Sequence, residues 1–360
     1  MIRRNLAAAT LLVSADARAA SVIGRRLVLG GAGAGLLPRL ARAEMASLEA
    51  AARKEGAVSW YTAHTDGETA NMMAQAFMAQ YPGISVGVVR TTAQVAYQRL
   101  LQDLKNGIPP CDVFSSTDLG HDVALSNEGK FARYTPENAK YILPDFTGID
   151  PAGTYFATLS ELVIPIYNTQ RVKTVDAPKS WTDLLDPKWK NQVSVGHPAY
   201  SGTVGTWVVA MKKLYGWSYF ERLERNKPLI GRSVNDAVGV LTSGERTVAA
   251  GPSGLSQVTM ERGNPIGLVA PADGAVVIVS PSAVMAAAAH PNAGRLFLEF
   301  LLGETCAKIA VDGRRIPVRS GAPERPGDPL KGMKTVRLTT AEIVRDMQDC
   351  IEQWRDTFGG

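Results

Sequence analysis

Asp112-Val113-Phe114-Ser115-Ser116-Thr117-Asp118 carries a short apolar strand straight into three hydroxyl residues and an acid. Leu119 to Glu128 then reads as a helix, with Gly129 as its stop. A strand, a hydroxyl loop and a helix in that order place backbone N–H groups and Ser/Thr hydroxyls at a helix N-terminus. Such an end holds orphan donors and partial positive charge, and so suits an anion or a polar oxygen. In open α/β sheets ligands bind beyond the carboxyl ends of strands. Capping the helix takes one hydroxyl, from Ser116 or Thr117. Three in a row make Ser115, Ser116 and Thr117 candidate ligand groups.

The preceding chain repeats the pattern. Ala57 to Tyr61 is a strand that gives way to Thr62-Ala63-His64-Thr65-Asp66-Gly67. Thr65 or Asp66 can cap the next helix, on which Ala70, Met73 and Phe77 share a face. Ile84, Val86 and Val88 alternate as a strand, followed by the loop Arg90-Thr91-Thr92. Gln94 to Asn106 is a helix with Tyr97, Leu101 and Leu104 inward, stopped by Gly107 and Pro109-Pro110. This βαβαβ order with short loops predicts a parallel sheet. Loops 62–67, 90–93 and 115–118 then emerge at one sheet edge, and Thr62, His64 and Thr65 join the candidates. Arg90 reads as a solvated strand-end cation.

Ser160 to Thr169 is a strand containing Pro165, which predicts a bend or an edge position and a crossing into a second domain. Strand Gln192 to Gly196 leads to Ser201-Gly202-Thr203 at another helix start, where a glycine between hydroxyls permits close backbone approach to a ligand. Helix Asn235 to Thr242 and strand Thr247 to Ala250 precede the loop Gly251 to Ser256, which offers Ser253. Asp273 to Val279 is the return crossing. Two helices are expected at Ser282–Ala289 and Gly294–Leu302, then a Pro/Gly-rich link at 321–331. A terminal amphipathic helix, Ala341 to Phe358, carries Ile343, Val344, Met347, Ile351 and Trp354 on one side.

Residues 1–43 read as an export signal, not as fold. Arg25-Arg26 precedes the Gly-rich apolar run Leu27 to Leu37, and Ala41-Arg42-Ala43 offers a cleavage site. The twin arginine predicts the Tat route, and the run is too short for a membrane span. A weaker copy, Arg3-Arg4 with Leu6 to Val13, points to a translation start downstream of Met1. No cysteine follows either site, so a soluble periplasmic protein without a lipid anchor is expected. The whole chain has net charge +5, but residues 1–43 hold seven of the 39 Lys+Arg and one of the 34 Asp+Glu. The remainder has 32 bases and 33 acids, net −1, which removes the basic surface that nucleic-acid binding needs. Cys111, Cys306 and Cys350 are an odd number without metal spacing and read as buried small hydrophobes. No G-x-S-x-G, H-E-x-x-H or P-loop motif occurs, so no catalytic residue, metal site or cofactor is assigned.

The chain resembles the periplasmic solute-binding proteins of ABC importers, in the iron(III), thiamine and phosphonate group of the two-domain type 2 class. The resemblance covers nearly all of 46–320. It is carried by Pro109-Pro110-Cys111-Asp112-Val113, Pro165-Ile166-Tyr167-Asn168-Thr169, and Trp181-Thr182-Asp183-Leu184-Leu185-Asp186-Pro187-Lys188-Trp189. Ser201-Gly202-Thr203, Ser243-Gly244-Glu245, Ala289-His290-Pro291-Asn292-Ala293 and Arg315-Ile316-Pro317-Val318-Arg319 add to it. It implies two doubly wound α/β lobes joined by two crossing strands, with solute held in the cleft and an inner-membrane ABC permease as partner. The expected lobes are 44–160 with 274–325, and 161–273 with 326–360, in a monomer. Iron-binding members carry adjacent tyrosines in the loop that is Gly251-Pro252-Ser253-Gly254-Leu255-Ser256 here. Hydroxyls and glycines do not replace phenolate on Fe(III), so a small anionic or zwitterionic solute fits better. The alternatives are an iron(III) binder and an exported hydrolase using His64 or His197 as base.

Overall fold

A computed structural model describes residues 37–359, with side chains from residue 42. The arginine pair and most of the apolar run of the expected export signal lie outside the described residues. In chain order the elements are α1 (Leu37–Glu55), β1 (Ala57–Thr62), α2 (Gly67–Gln80), β2 (Ser85–Arg90), α3 (Ala93–Lys105), β3 (Val113–Ser115) and α4 (Leu119–Asn127). Next come β4 (Phe156–Asn168), β5 (Val193–Gly196), α5 (Gly202–Tyr215), α6 (Ser218–Glu224), β6 (Leu229–Gly231), α7 (Val234–Thr242), β7 (Val248–Pro252) and α8 (Ser253–Glu261). The chain closes with β8 (Ile266–Leu268), β9 (Ala275–Val284), α9 (Pro291–Leu301), α10 (Glu304–Asp312), β10 (Thr335–Val336) and α11 (Thr340–Phe358).

The strands run β2-β1-β3-β9-β4-β7-β5-β6, with β10 beside β9 and β8 beside β4. β1 is parallel to β2 and β3, and β5 is parallel to β6 and β7. Between these parallel halves lie β9 and β4, antiparallel to each other and to their outer neighbours β3 and β7. Two doubly wound α/β lobes are thus joined through two crossing strands. Each lobe buries its own aromatics. Trp60, Phe77 and Phe297 pack edge to face in the first, and Trp207, Phe220 and Trp354 in the second. Rings of this size bury 150–250 Å² each and prefer such edge contacts, so they anchor the two cores.

Three expectations are corrected. Pro165 lies in the central strand β4, not at an edge, and pairs with Ala250 of β7. On its other side β9 stops pairing at Val163 and β8 begins at Ile166, so the missing proline donor falls where one partner gives way to the next. Ser282–Ala289 is not a helix. Ser282 pairs with Ser115 and Val284 with Val113, so the ladder of β9 overrides the alanine-rich local propensity. Gly251 and Pro252 are not loop but the end of β7, and Ser253 starts α8 directly.

Candidate functional site

The carboxyl ends of β1, β2 and β3 deliver Thr62, Arg90 and Ser115 to one edge, where α2, α3 and α4 begin. Facing them across the gap between the lobes are the starts of α5, α7 and α8. The cleft between encloses a void of about 40 Å³. A site of that size holds one or a few water-sized groups, so the described form is close to shut.

Most of these helix starts already have a carboxylate. Asp66 accepts from Thr69 N at 2.8 Å on α2, and Asp118 from Gly120 N at 2.9 Å on α4. Asp236 takes Arg232 N and Ser233 N at 2.7 and 3.0 Å ahead of α7. Glu161 of β4 takes Ser253 Oγ and Gly254 N at 2.6 and 3.0 Å on α8. The two left are α3 and α5. Thr92 makes no side-chain cap on α3, Ser201 accepts from Val204 N at 3.5 Å on α5, and neither first turn holds an acid. These ends meet across the cleft, where Gln94 N donates to Tyr200 O at 3.4 Å.

Arg90 lines the void between them. Its Nε donates to Thr65 O at 2.9 Å, and no ion pair to it occurs among the described residues. Burial pushes its pKa down, with Asp66 and Asp236 acting the other way. A guanidinium stays protonated regardless, so Arg90 stands as a cation on the exposed lip of the void. Arg315 is the second wall cation. Its two nitrogens donate to Glu161 Oε2 at 2.7 Å and Asp66 Oδ2 at 3.0 Å, so its charge is spent inside the protein. Burial works to raise the Asp66 pKa, but the Thr69 N–H and Arg315 outweigh it and hold the carboxyl below its usual range. His64 is 4% exposed, and neither ring nitrogen has a partner. Burial, then Arg315, push its pKa down to about 3, so the imidazole is neutral.

Of the residues expected at the site, His64, Thr65, Thr117, Ser201 and Thr203 line the void. The other five do not. Thr62 ends β1 with its hydroxyl toward His64 N. Ser115 accepts from Trp60 Nε1 at 2.9 Å and bonds Ser282 Oγ at 2.6 Å, tying the sheet together. Ser116 accepts from Asp118 N at 3.0 Å, Ser253 serves Glu161, and Gly202 lies against the Thr117–Asp118 backbone. Glu161, Arg315, Ser233, Asn235 and Ser280 also line the void and were not among the expected residues; Arg90, read as a solvated strand-end cation, is exposed as expected and also borders the void. Thr91 and Thr92, beside it, were the available signal, because a hydroxyl loop at a strand end occurs there as at 115–117.

A larger cavity, about 840 Å³, lies elsewhere, lined by Leu119, Ile149, Tyr155, Val277, Val279 and Ile343 among others. Pairing of Glu161 with Ile278 puts Glu161, Ile278 and Ser280 on one face of the β4–β9 ribbon, and Val277 and Val279 on the other. The large cavity is therefore behind the crossing and has none of the helix starts described above except that of the already capped α4. The small polar cleft is the candidate site.

A two-lobed α/β frame with a polar, cation-lined cleft at its crossing defines a class of receptor that captures small solutes. Residues 109–343 match the model of the bacterial extracellular solute-binding protein family, and the chain belongs to that family. Over 278 residues it is 26% identical to a Salmonella typhimurium protein whose name proposes 2-aminoethylphosphonate binding in the periplasm, covering 74% of this chain and 76% of that one. Among solved structures it is similar to AfuA from Actinobacillus pleuropneumoniae, described with fructose-6-phosphate bound. That likeness has TM-score 0.75 and 22% identity, over 84% of this chain and 98% of that one. It is also similar to iron-bound HitA from Pseudomonas aeruginosa, with TM-score 0.68 and 23% identity, over 84% and 99%. No helix among the described residues is long and apolar enough to cross a membrane. The protein is a solute-binding protein of the ABC importer type.

Proposed function

We propose that the cleft captures a small anionic or zwitterionic organic solute, with a phosphonate, phosphate ester or carboxylate as its head. The observation that carries this is the convergence of two helix starts without a carboxylate on Arg90, a cation without an ion pair. Each helix start favours negative charge by about 0.3–1 kcal/mol when exposed and more when partly buried. The hydroxyls of Thr117, Ser201 and Thr203 complete an anion seat. The name of the Salmonella relative and the sugar phosphate in AfuA agree with this chemistry. His64, neutral and with no hydrogen-bond partner among the described residues, offers a ring-nitrogen acceptor for the other end of the solute. Residues 1–43 serve as a Tat signal, the solute passes from the periplasm to an inner-membrane permease, and the lobes are 44–160 with 274–325 and 161–273 with 326–360.

Iron(III) is the second reading, favoured by the likeness to HitA. The donor set opposes it. The stretch Gly251 to Ser256 holds no tyrosine, and Gly254 leaves little room for a side chain, with Glu161 Oε2 and Gly313 O both 3.0 Å from a Cβ built there. No group of three or more His, Cys, Asp or Glu among the described residues is arranged to hold a metal ion. A hydrolase would need a base aimed at a nucleophile. Among the described residues no serine hydroxyl contacts His64, and His197 Nδ1 accepts from Ala199 N at 3.1 Å.

Calorimetry on ligand-stripped protein tests the reading, with 2-aminoethylphosphonate, sugar phosphates, carboxylates and Fe(III) as titrants. Heat with an organic anion is expected. Arg90→Gln should weaken it about 10- to 100-fold, the loss of one charged hydrogen bond of about 1.5–3 kcal/mol. Tight Fe(III) binding with a visible charge-transfer band, and no heat from any organic anion, contradicts the reading.

A further inference from the structure

Gly202 opens α5 in one lobe and lies on the Thr117–Asp118 peptide at the start of α4 in the other. A Cβ built at Gly202 would fall less than 3.0 Å from Thr117 C, Thr117 O and Asp118 N. All three are backbone atoms, and they cannot swing aside as the end of a long side chain can. Their position is fixed on both sides. β3 holds Ser115 between β1 and β9, and Asp118 caps α4 through Gly120 N. Gly202 is not among the glycines with positive φ, so a side chain there meets no backbone strain. Contact with the opposite lobe is what excludes it.

Two other contacts at the lips of the cleft are softer. Arg262 reaches Glu68 at 2.8 Å through side chains that are 58% and 63% exposed. Such a pair contributes little and yields easily. The Gln94 N to Tyr200 O bond, at 3.4 Å, is long. Arg315–Glu161 and α4–α11 also join the lobes, at and behind the crossing, and Gly202 is the backbone stop at the lips of the cleft.

We propose that Gly202 is the positioning residue that sets how far the cleft closes, and with it the volume left to a solute. With Gly202 seated, the void is about 40 Å³. A methyl group at this position props the lobes apart and leaves both lobe cores untouched. The idea rests on the reading of the cleft as the solute site, but the contact needs no solute to form.

Cross-linking of the solute-free full chain tests it. Gln94→Cys with Tyr200→Cys places thiols on opposite lips of the cleft, within reach of a disulfide when the lobes close. Cys111, Cys306 and Cys350 are buried and free, so they stay spectators. Under diamide this pair should cross-link. Adding Gly202→Val should slow the reaction at least tenfold, and Gly202→Ala should fall between. Circular dichroism and the thermal midpoint should stay at the parent value; if the valine variant fails to fold, the alanine variant carries the test. Equal cross-linking rates in folded variants, or no cross-link with Gly202 in place, overturns the proposal. A wrong solute assignment would show in calorimetry and leave these rates unchanged.

Discussion

His64 sits edge-on to Trp60, ring centroids 5.4 Å apart, with both nitrogens buried and unpartnered. Its pKa falls from an ordinary 6.5 to about 3 on folding, through burial and then Arg315. Between those values the unfolded chain holds a proton that the folded chain does not, so stability is lost as pH falls through 6.5 toward 3. At one pKa unit per 1.36 kcal/mol, moving from pH 6.5 to 5 costs about 2 kcal/mol through this residue. Denaturant unfolding of wild type and His64→Gln across that window should show the wild type alone losing this increment. Parallel pH profiles would show that His64 titrates normally in the fold. At this scale the sequence was half legible. The hydroxyl loops at strand ends pointed to Thr65, Thr117, Ser201 and Thr203, which line the void, because strand-loop-helix order forces them to the sheet edge. It could not reveal that Ser115 is spent on Trp60 and Ser282, or that Arg315 arrives from beyond α10, because both depend on partners 55 to 249 residues distant.

α11 is the element that ties the chain's end to both lobes. It packs on α5 and α6 on one side and on α4 on the other. Its periodic apolar face was visible in sequence, and Ile343, Met347 and Trp354 are buried as that period requires. Val344 is not; it stays 37% exposed on the rim of the rear cavity. Gly205 of α5 makes room for Met347, since a Cβ there would fall less than 3.0 Å from its sulfur. Trp354 is fully buried among Phe220, Phe358 and His197. Trp354→Ala should therefore destabilise the protein by about 3–5 kcal/mol in denaturant unfolding. A loss under 1 kcal/mol would mean that α11 is docked loosely. Elements whose local pattern agrees with their tertiary setting, such as α3 and α11, were legible. Ser282–Ala289 was not, because pairing with β3 outweighs what alanine prefers.

Across the whole molecule, the fold brings helix starts from two lobes to one cleft beside the crossing strands. Acidic side chains already occupy α2, α4, α7 and α8, so the electrostatic demand of the cleft concentrates on α3, α5 and Arg90. On the proposed reading an anion held there would answer donors from both lobes at once, and capture and closure would become one event. The backbone amides report this directly. In a 15N-labelled, ligand-stripped sample titrated with 2-aminoethylphosphonate, the largest amide shifts should fall at Ala93, Gln94, Gly202 and Thr203, with a matching change at Arg90 Nε. Shifts confined to Tyr155, Val277 and Val279 behind the crossing, or none with any organic anion, would contradict the account.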